Sequence, residues 1–374
     1  MANVIVIGGG IVGLSVAYYL AKENVEVTLV DADHTGQATT AAAGIICPWV
    51  SQRRNKKWYQ LAKNSASFYP TLIDELKNQG ISNTGYKQTG ALVIRKEEKT
   101  LQKIYEMTQQ RLVDAPEIGG EVTRLNVAET KQRFPLLDEK YQSLYVSGAA
   151  RVNGGKLRKS LLEACMNYGV KIITGEASLV KTANHANIKV NDTLIEADQI
   201  VLANGSWFST IVESLGLNGL IRPQKAQIVS LKWKEDDTGD WPVIMPRGTH
   251  YIVPFEHGQI AAGTTHEDDV GWDTHVTPIG LQKIFSDLRE VAPALLSSAL
   301  VKVNVGFRPV APDFLPVFGR LPGYERIYAA NGLGSSGLTT GPFIGRELAK
   351  MILRKDGILD AKDYPIHSII KSSE

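Results

Sequence analysis

Apolar and polar positions follow two different periods along this chain, and the places where one gives way to the other mark its elements. Val4 to Ile7 is a short β-branched apolar run that stops at Gly8-Gly9-Gly10, the pattern of a buried parallel strand entering a tight turn. From Ile11 to Lys22 apolar residues recur at helical spacing, and Val25 to Val30 returns to strand character before ending on Asp31. Together they predict a βαβ unit of about thirty residues. A helical stretch from Trp58 to Gln79, a strand over Ala91 to Arg95 and a charged amphipathic helix over Glu97 to Leu112 then read as an inserted region. The first alternation resumes with a helix over Lys156 to Tyr168, a strand over Val170 to Thr174 and another over Gln199 to Ala203. Strand-like runs at Gln227 to Leu231, Tyr251 to Pro254 and Gln259 to Ala262, parted by Gly, Pro and Asp turns, predict an antiparallel sheet. A helix over Pro278 to Val291, a strand over Ile327 to Ala330, a glycine-rich loop over Asn331 to Gly341 and a helix from Pro342 to Leu353 complete the pattern.

Composition narrows the class without naming a chemistry. At 374 residues the chain is long enough for two domains, and 43% hydrophobic with 21% charged residues is the balance of a soluble globular protein. A formal charge of +2 gives no field that gathers polyanions, so no nucleic-acid partner is expected. Cys47 and Cys165 stand far apart, which excludes a disulfide framework or zinc motif and suits a reducing cytoplasm. No Lys or Arg precedes the apolar run from Val4 to Ala21 and glycines interrupt it, so it reads as strand, turn and helix rather than a signal peptide or membrane span. The patch Arg53-Arg54-Asn55-Lys56-Lys57 beside Trp49 and Trp58 reads first as a solvated face and leaves peripheral membrane contact open.

Gly8-x-Gly10-x-x-Gly13 stands where a dinucleotide fingerprint belongs, after a strand and opening a helix at Ile11 and Val12. Backbone amides at that helix start can meet a pyrophosphate, because no side chain obstructs them. Asp31, eighteen residues beyond Gly13 and followed by Ala32, ends the second strand, where a carboxylate accepts from a ribose diol and repels a 2′-phosphate. NADP is therefore disfavoured; FAD and NAD share the adenosine half and are not separated by these residues.

Four segments carry a family resemblance. Gln37 to Ile46, with Ala38-Thr39-Thr40-Ala41-Ala42-Ala43-Gly44-Ile45-Ile46, resembles the phosphate- and flavin-contacting loop of the D-amino acid oxidase superfamily, which includes glycine oxidase and D-amino acid dehydrogenase. Ile200 to Trp207 (with Ala203-Asn204-Gly205), Gly306-Phe307-Arg308-Pro309 through Gly319, and Ala330 to Gly345 are similar to the same family, in the same order along nearly the whole chain. The resemblance implies an α/β fold in which a discontinuous Rossmann-like FAD-binding domain (1–50, 145–220 and 305–374) carries an inserted α+β substrate domain (51–144 and 221–304) built on an antiparallel sheet. It implies noncovalent FAD, held by Gly8, Gly10, Ile11, Val12, Gly13, Asp31, Ala32, Thr39, Thr40, Ala42, Ala43, Gly44, Ile45, Ala203, Asn204, Gly205, Trp207 and Arg308, and by Gly334, Ser335, Ser336, Gly337, Leu338 and Thr339. The helix after this last loop would turn its positive end toward the anionic reduced flavin.

The resemblance also assigns the substrate contacts. Arg308 would pair with a substrate carboxylate through its planar fork; the alternative is an ordinary ion pair at a strand end. Tyr251 would donate to the same carboxylate, or else pack as a strand tyrosine in the core. His266 would face the substrate as a pocket residue, or else be solvated. Two segments depart from the family. Gly334-Ser335-Ser336-Gly337 lacks an arginine that some glycine oxidase-like members carry there, and Ile221 to Gln227 stands where the family usually shows an arginine-glycine-glutamine run at the flavin edge, with Lys225 as the substitute positive group. The implied activity is FAD-dependent oxidation of a small D-amino acid, glycine or secondary amine such as sarcosine by hydride loss from the carbon bearing nitrogen. No metal takes part, and oxygen, a quinone or another acceptor reoxidises the enzyme. An NAD-dependent dehydrogenase and a non-catalytic FAD-binding subunit of a larger amine dehydrogenase complex remain the alternatives, and a homo-oligomer is left open.

Overall fold

Val4, Ile5, Val6 and Ile7 are all buried, as β-branched residues are when both faces of a parallel strand are covered. The computed structural model, which describes residues 3–113, 115–181, 186–235 and 237–372, places their strand, Asn3–Ile7, inside a six-stranded sheet. Across it run Val317–Arg320, Ile327–Asn331, Gln199–Leu202, Asn3–Ile7, Glu26–Asp31 and Lys171–Thr174. Neighbours are parallel except for Val317–Arg320 at one edge. The helix Ile11–Lys22 is buried along nearly its whole length because the C-terminal helix Gly337–Ile352 covers it. Gly345 permits that approach: a Cβ there would lie 2.5 Å from the Ser15 Cβ and 2.9 Å from the Val12 carbonyl oxygen.

The second layer is an eight-stranded sheet in the order Ala299–Val310, Arg222–Lys232, Gln259–Gly263, Tyr251–Pro254, Val243–Met245, Ala91–Arg95, Gln142–Val146 and Val122–Leu125. Its pairs are antiparallel except Val243–Met245 with Ala91–Arg95. The two-residue side-chain period sorts Arg222–Lys232. Val229 and Leu231 share a core with Ile284, Leu288 and Val291 of the helix Pro278–Val291, so Ala226 and Ile228 face the other way, toward the first layer.

The layers are tied more closely than the expected segment boundaries imply. Boundaries at 145 and 305 fall inside the strands Gln142–Val146 and Ala299–Val310. The Phe307 amide donates to the Gly36 carbonyl (2.9 Å) and the Ser206 hydroxyl donates to the Phe307 carbonyl (3.0 Å), so one strand serves both layers. The amphipathic helix Lys56–Lys77 also crosses over, packing Phe68 against Phe343 with ring centroids 5.6 Å apart. Among the described residues no helix is long and apolar enough to cross a membrane.

The C-terminal helix begins at Gly337, a turn and more before the start expected at Pro342. Proline has no N–H to donate to the carbonyl four residues back and is costly inside a helix. Here that carbonyl, on Leu338, accepts from the Tyr69 hydroxyl instead, so a distant side chain fills the gap. Tyr69→Phe should leave the buried Leu338 oxygen without a donor and cost about 1–3 kcal/mol in a urea unfolding experiment. Pro342→Ala in the same background should recover part of that loss by restoring the backbone donor.

Candidate functional site

Between the two layers lies a cavity of about 640 Å³, within the range of ordinary small-molecule sites. Its lining runs from the Gly8 turn past the loop 38–45 to Arg308 and Tyr251 on the second sheet. All the sequence-predicted cofactor and substrate residues border it except Gly13 and Thr40. Gly13 instead closes the turn: a Cβ there would lie 1.9 Å from the Gly8 carbonyl oxygen. The Thr40 hydroxyl donates back to the Gln37 carbonyl at 3.2 Å, which stabilises its own short helix.

At the turn, Gly8 adopts φ +106 and its N–H donates to Val30 at 2.8 Å, which binds the turn to the next strand. The Ile11 amide donates to Thr39 Oγ1 at 3.0 Å, so the loop 38–45 is registered against the helix start. Asp31 holds Arg158 Nη2 through Oδ2 at 2.7 Å, while Arg158 Nε donates to the Gly9 carbonyl at 2.9 Å. Sequence reasoning missed Arg158 because it stands 127 residues from its partner. Both polar atoms of the Asn204 carboxamide are buried without a hydrogen-bond partner among the described residues, and Asn204 borders the cavity. His34, Trp207 and Trp272 stack in a row, with centroids 4.7 and 4.9 Å apart. A long polar ligand with an aromatic end suits these groups, since buried polar atoms normally find partners.

At the other end, Arg308 extends from Ala299–Val310 and donates from Nη1 to Gln224 Oε1 (3.2 Å) and the Thr265 carbonyl (3.2 Å), and from Nη2 to Thr264 Oγ1 (3.0 Å). These acceptors are neutral, and no carboxylate forms an ion pair with Arg308 among the described residues. Burial lowers its pKa, with Tyr251 and Asp268 opposing. Burial pushes the Tyr251 phenol up to about 12, against the smaller pulls of Arg308 and Thr264, so at neutral pH it is a hydrogen-bond donor. His266 has an exposed side chain on the rim, yet loss of water around the ring and then the Arg308 charge bring its pKa down to about 4. The site therefore presents a fixed cation, a protonated phenol and a neutral imidazole. Cys47 also borders it, buried, with its thiol pushed up to about 12 by desolvation.

One sequence expectation requires correction. Lys225 lies on the face of Arg222–Lys232 that turns away from the cavity, fully buried, with Nζ 2.7 Å from Asp273 and 3.9 Å from Glu267. It anchors the loop that carries Trp272 and is no substitute contact at the cavity. The basic patch at 53–57 is exposed, in keeping with a solvated face, and the aromatic residues beside it, Trp49 and Trp58, are both buried. Trp58 Nε1 donates to Ser336 Oγ at 3.0 Å and Arg53 Nη2 donates to Ser335 Oγ at 3.2 Å, so this segment closes on the C-terminal loop. Arg53, Trp58, Met245 and His250 all border the cavity and were not singled out as site residues from sequence. The pairing of Arg53-Arg54 with Trp58 was the available signal, and its composition suits a surface as well as a pocket.

Comparison with known proteins gives a consistent result. The family model described as FAD dependent oxidoreductase matches residues 3–351. An uncharacterized oxidoreductase of Bacillus subtilis, YurR, is 47% identical over 366 residues, covering 97% of this chain and 98% of that protein. Glycine oxidase of Pseudomonas putida is 25% identical over 368 residues, covering 97% of each. The crystal structure of iminodiacetate oxidase from Chelativorans sp. BNC1 superposes with a TM-score of 0.94 at 36% identity, over 96% of this chain and 98% of that one.

The glycine turn makes a direct prediction. Gly13→Ala sets a methyl group against the Gly8 oxygen, the turn has to open, and the protein should purify with bound dinucleotide reduced roughly tenfold or more per polypeptide by visible absorbance.

Proposed function

We propose, from the premise that this chain belongs to the family of FAD-dependent oxidoreductases, that its substrate is a small amino acid or secondary amine oxidised at the carbon bearing nitrogen. That family membership favours FAD over NAD, which the glycine turn alone leaves undivided. The observation that carries the substrate reading is Arg308, a guanidinium at the cavity with neutral partners only. A half-buried cation without a counter-ion calls for an anion, and a carboxylate matches its fork. The names of two relatives, glycine oxidase and iminodiacetate oxidase, both describe substrates of this chemical class.

FAD supplies a hydride acceptor when bound. The residues present fit it: the glycine turn from Gly8 to Gly10, clear of side chains, for the pyrophosphate, Asp31 for the ribose, the unpartnered Asn204 carboxamide, and the loops 38–45 and 334–339 along the cavity. Noncovalent attachment is supported by Cys47, whose protonated thiol is a poor nucleophile. Arg308 fixes the carboxylate, the Tyr251 phenol donates to it, and the apolar walls Ile228 and Met245 exclude water from the reacting carbon. The substrate enters chemistry as the neutral amine. Its carbon gives up a hydride, the nitrogen lone pair becomes the second bond of an iminium ion, and water hydrolyses that ion to a carbonyl compound and ammonium, or a primary ammonium ion when the substrate is a secondary amine. No side-chain base is required beyond the loss of one proton from the substrate ammonium.

The decisive experiment is anaerobic bleaching of the flavin band by glycine, sarcosine, iminodiacetate, D-alanine, D-proline and the L counterparts. Reduction by one class identifies the substrate, and bound flavin that none of them reduces favours the non-catalytic subunit. Arg308→Met should retain FAD and lose roughly a hundredfold or more in kcat/KM, chiefly through KM. His266 is neutral throughout the working range, its pKa having fallen to about 4. Protonation below that value would add a charge beside Arg308, so His266→Asn should leave the profile of kcat/KM unchanged from pH 5 to 9, a range fixed by the pKa shift.

A further inference from the structure

The cavity has a second cation without a counter-ion. Arg53 comes from the short segment before the helix Lys56–Lys77, whose N-cap Asn55 accepts from the Trp58 amide at 2.9 Å. Its guanidinium lies over the Trp58 ring, 4.6 Å from the centroid, and Nη2 reaches Ser335 Oγ at 3.2 Å. Trp58 is itself fixed by the 3.0 Å bond from Nε1 to Ser336 Oγ. Ring, two serine hydroxyls and guanidinium form one assembly on the loop that lacks an arginine of its own. Much of the Arg53 side chain remains exposed, and partial burial of the head group lowers its pKa. No Asp or Glu pairs with it among the described residues, although the nearby Lys57 has Asp363 at 2.9 Å. A guanidinium positioned by stacking still has free donors on its planar fork.

We propose that Arg53 binds a second anionic group on the substrate, so that the substrate is a dicarboxylate amine with one carboxylate on Arg308 and the other on Arg53. This rests on the reading of Arg308 as the first carboxylate site. The two guanidiniums border one cavity from different segments, Arg308 from the second sheet and Arg53 from the rim beside the C-terminal loop. A monocarboxylate such as sarcosine satisfies one of them. A second carboxylate, carried on the nitrogen substituent or the side chain, satisfies both.

The test uses FAD-loaded enzyme and two ether analogues that lack the amine, oxydiacetate with two carboxylates and methoxyacetate with one. Binding is followed through perturbation of the visible flavin spectrum, which requires no turnover. Wild-type protein should bind oxydiacetate about tenfold or more tighter than methoxyacetate. Arg53→Gln should remove that preference while changing methoxyacetate affinity less than about threefold, Arg53→Lys should keep part of it, and Arg54→Gln should keep all of it. Equal affinity for both analogues in the wild type overturns the proposal. So does an Arg53→Gln loss that is equal for both, which would mean that the two arginines share one carboxylate. If the oxydiacetate preference depends on Arg53 while no amine bleaches the flavin, amine oxidation falls and the second anion site stands.

Discussion

Arg308 faces the cavity because the residue before it is held on both sides. The Phe307 N–H is bonded to Gly36, its carbonyl accepts from Ser206, and its ring packs edge-on to Trp272 with centroids 5.2 Å apart. Gly36 is compatible with this contact, since a Cβ there would lie 2.5 Å from the Phe307 ring. With residue 307 pinned to the nucleotide-type layer and residues 222–232 paired alongside, Arg308 has little freedom left. Its three neutral acceptors orient the guanidinium without neutralising it. A site that needs an anion is thus produced by backbone pairing and not by the arginine alone.

Electrostatics on the two faces of the same sheet illustrate the difference. Lys225 and Arg308 belong to paired strands, and both are cations in a largely buried setting. Lys225 is paired with Asp273, whose carboxylate pKa is lowered chiefly by the Lys225 hydrogen bond. Arg308 has no such partner. The first has its charge compensated by protein and serves structure; the second leaves its charge for a ligand.

Local pattern carried much of this molecule. The strand, turn and helix from Asn3 to Lys22 follow from contiguous residues, and so does the strand Ala91–Arg95, whose apolar run is unbroken from Ala91 to Ile94. The turn at Gly8 was legible from its glycine spacing between strand and helix, whereas the cavity-lining residues near Thr39, Asn204 and Arg308 were legible only through the resemblance of their segments to the D-amino acid oxidase superfamily. What was not legible depends on partners distant in sequence. The start of the last helix at Gly337 needs the Tyr69 hydroxyl, the orientation of Asp31 needs Arg158, and the inward position of Trp58 needs Ser336. Lys225 was misplaced for a different reason: composition reports a charge, whereas the parity of a strand decides which side receives it.

The shared strand has a mechanical consequence. Two bodies joined by a flexible connector can swing apart to admit a ligand, with the rotation absorbed in a few backbone torsions. Here Ala299–Val310 runs without interruption from the outer edge of one sheet to bonds with the other layer, and the helix Lys56–Lys77 braces the opposite side. Such a frame resists rotation where the cavity lies. Traffic through it falls to side chains at the rim, so the speed of exchange and the choice of what enters are controlled by the same few residues.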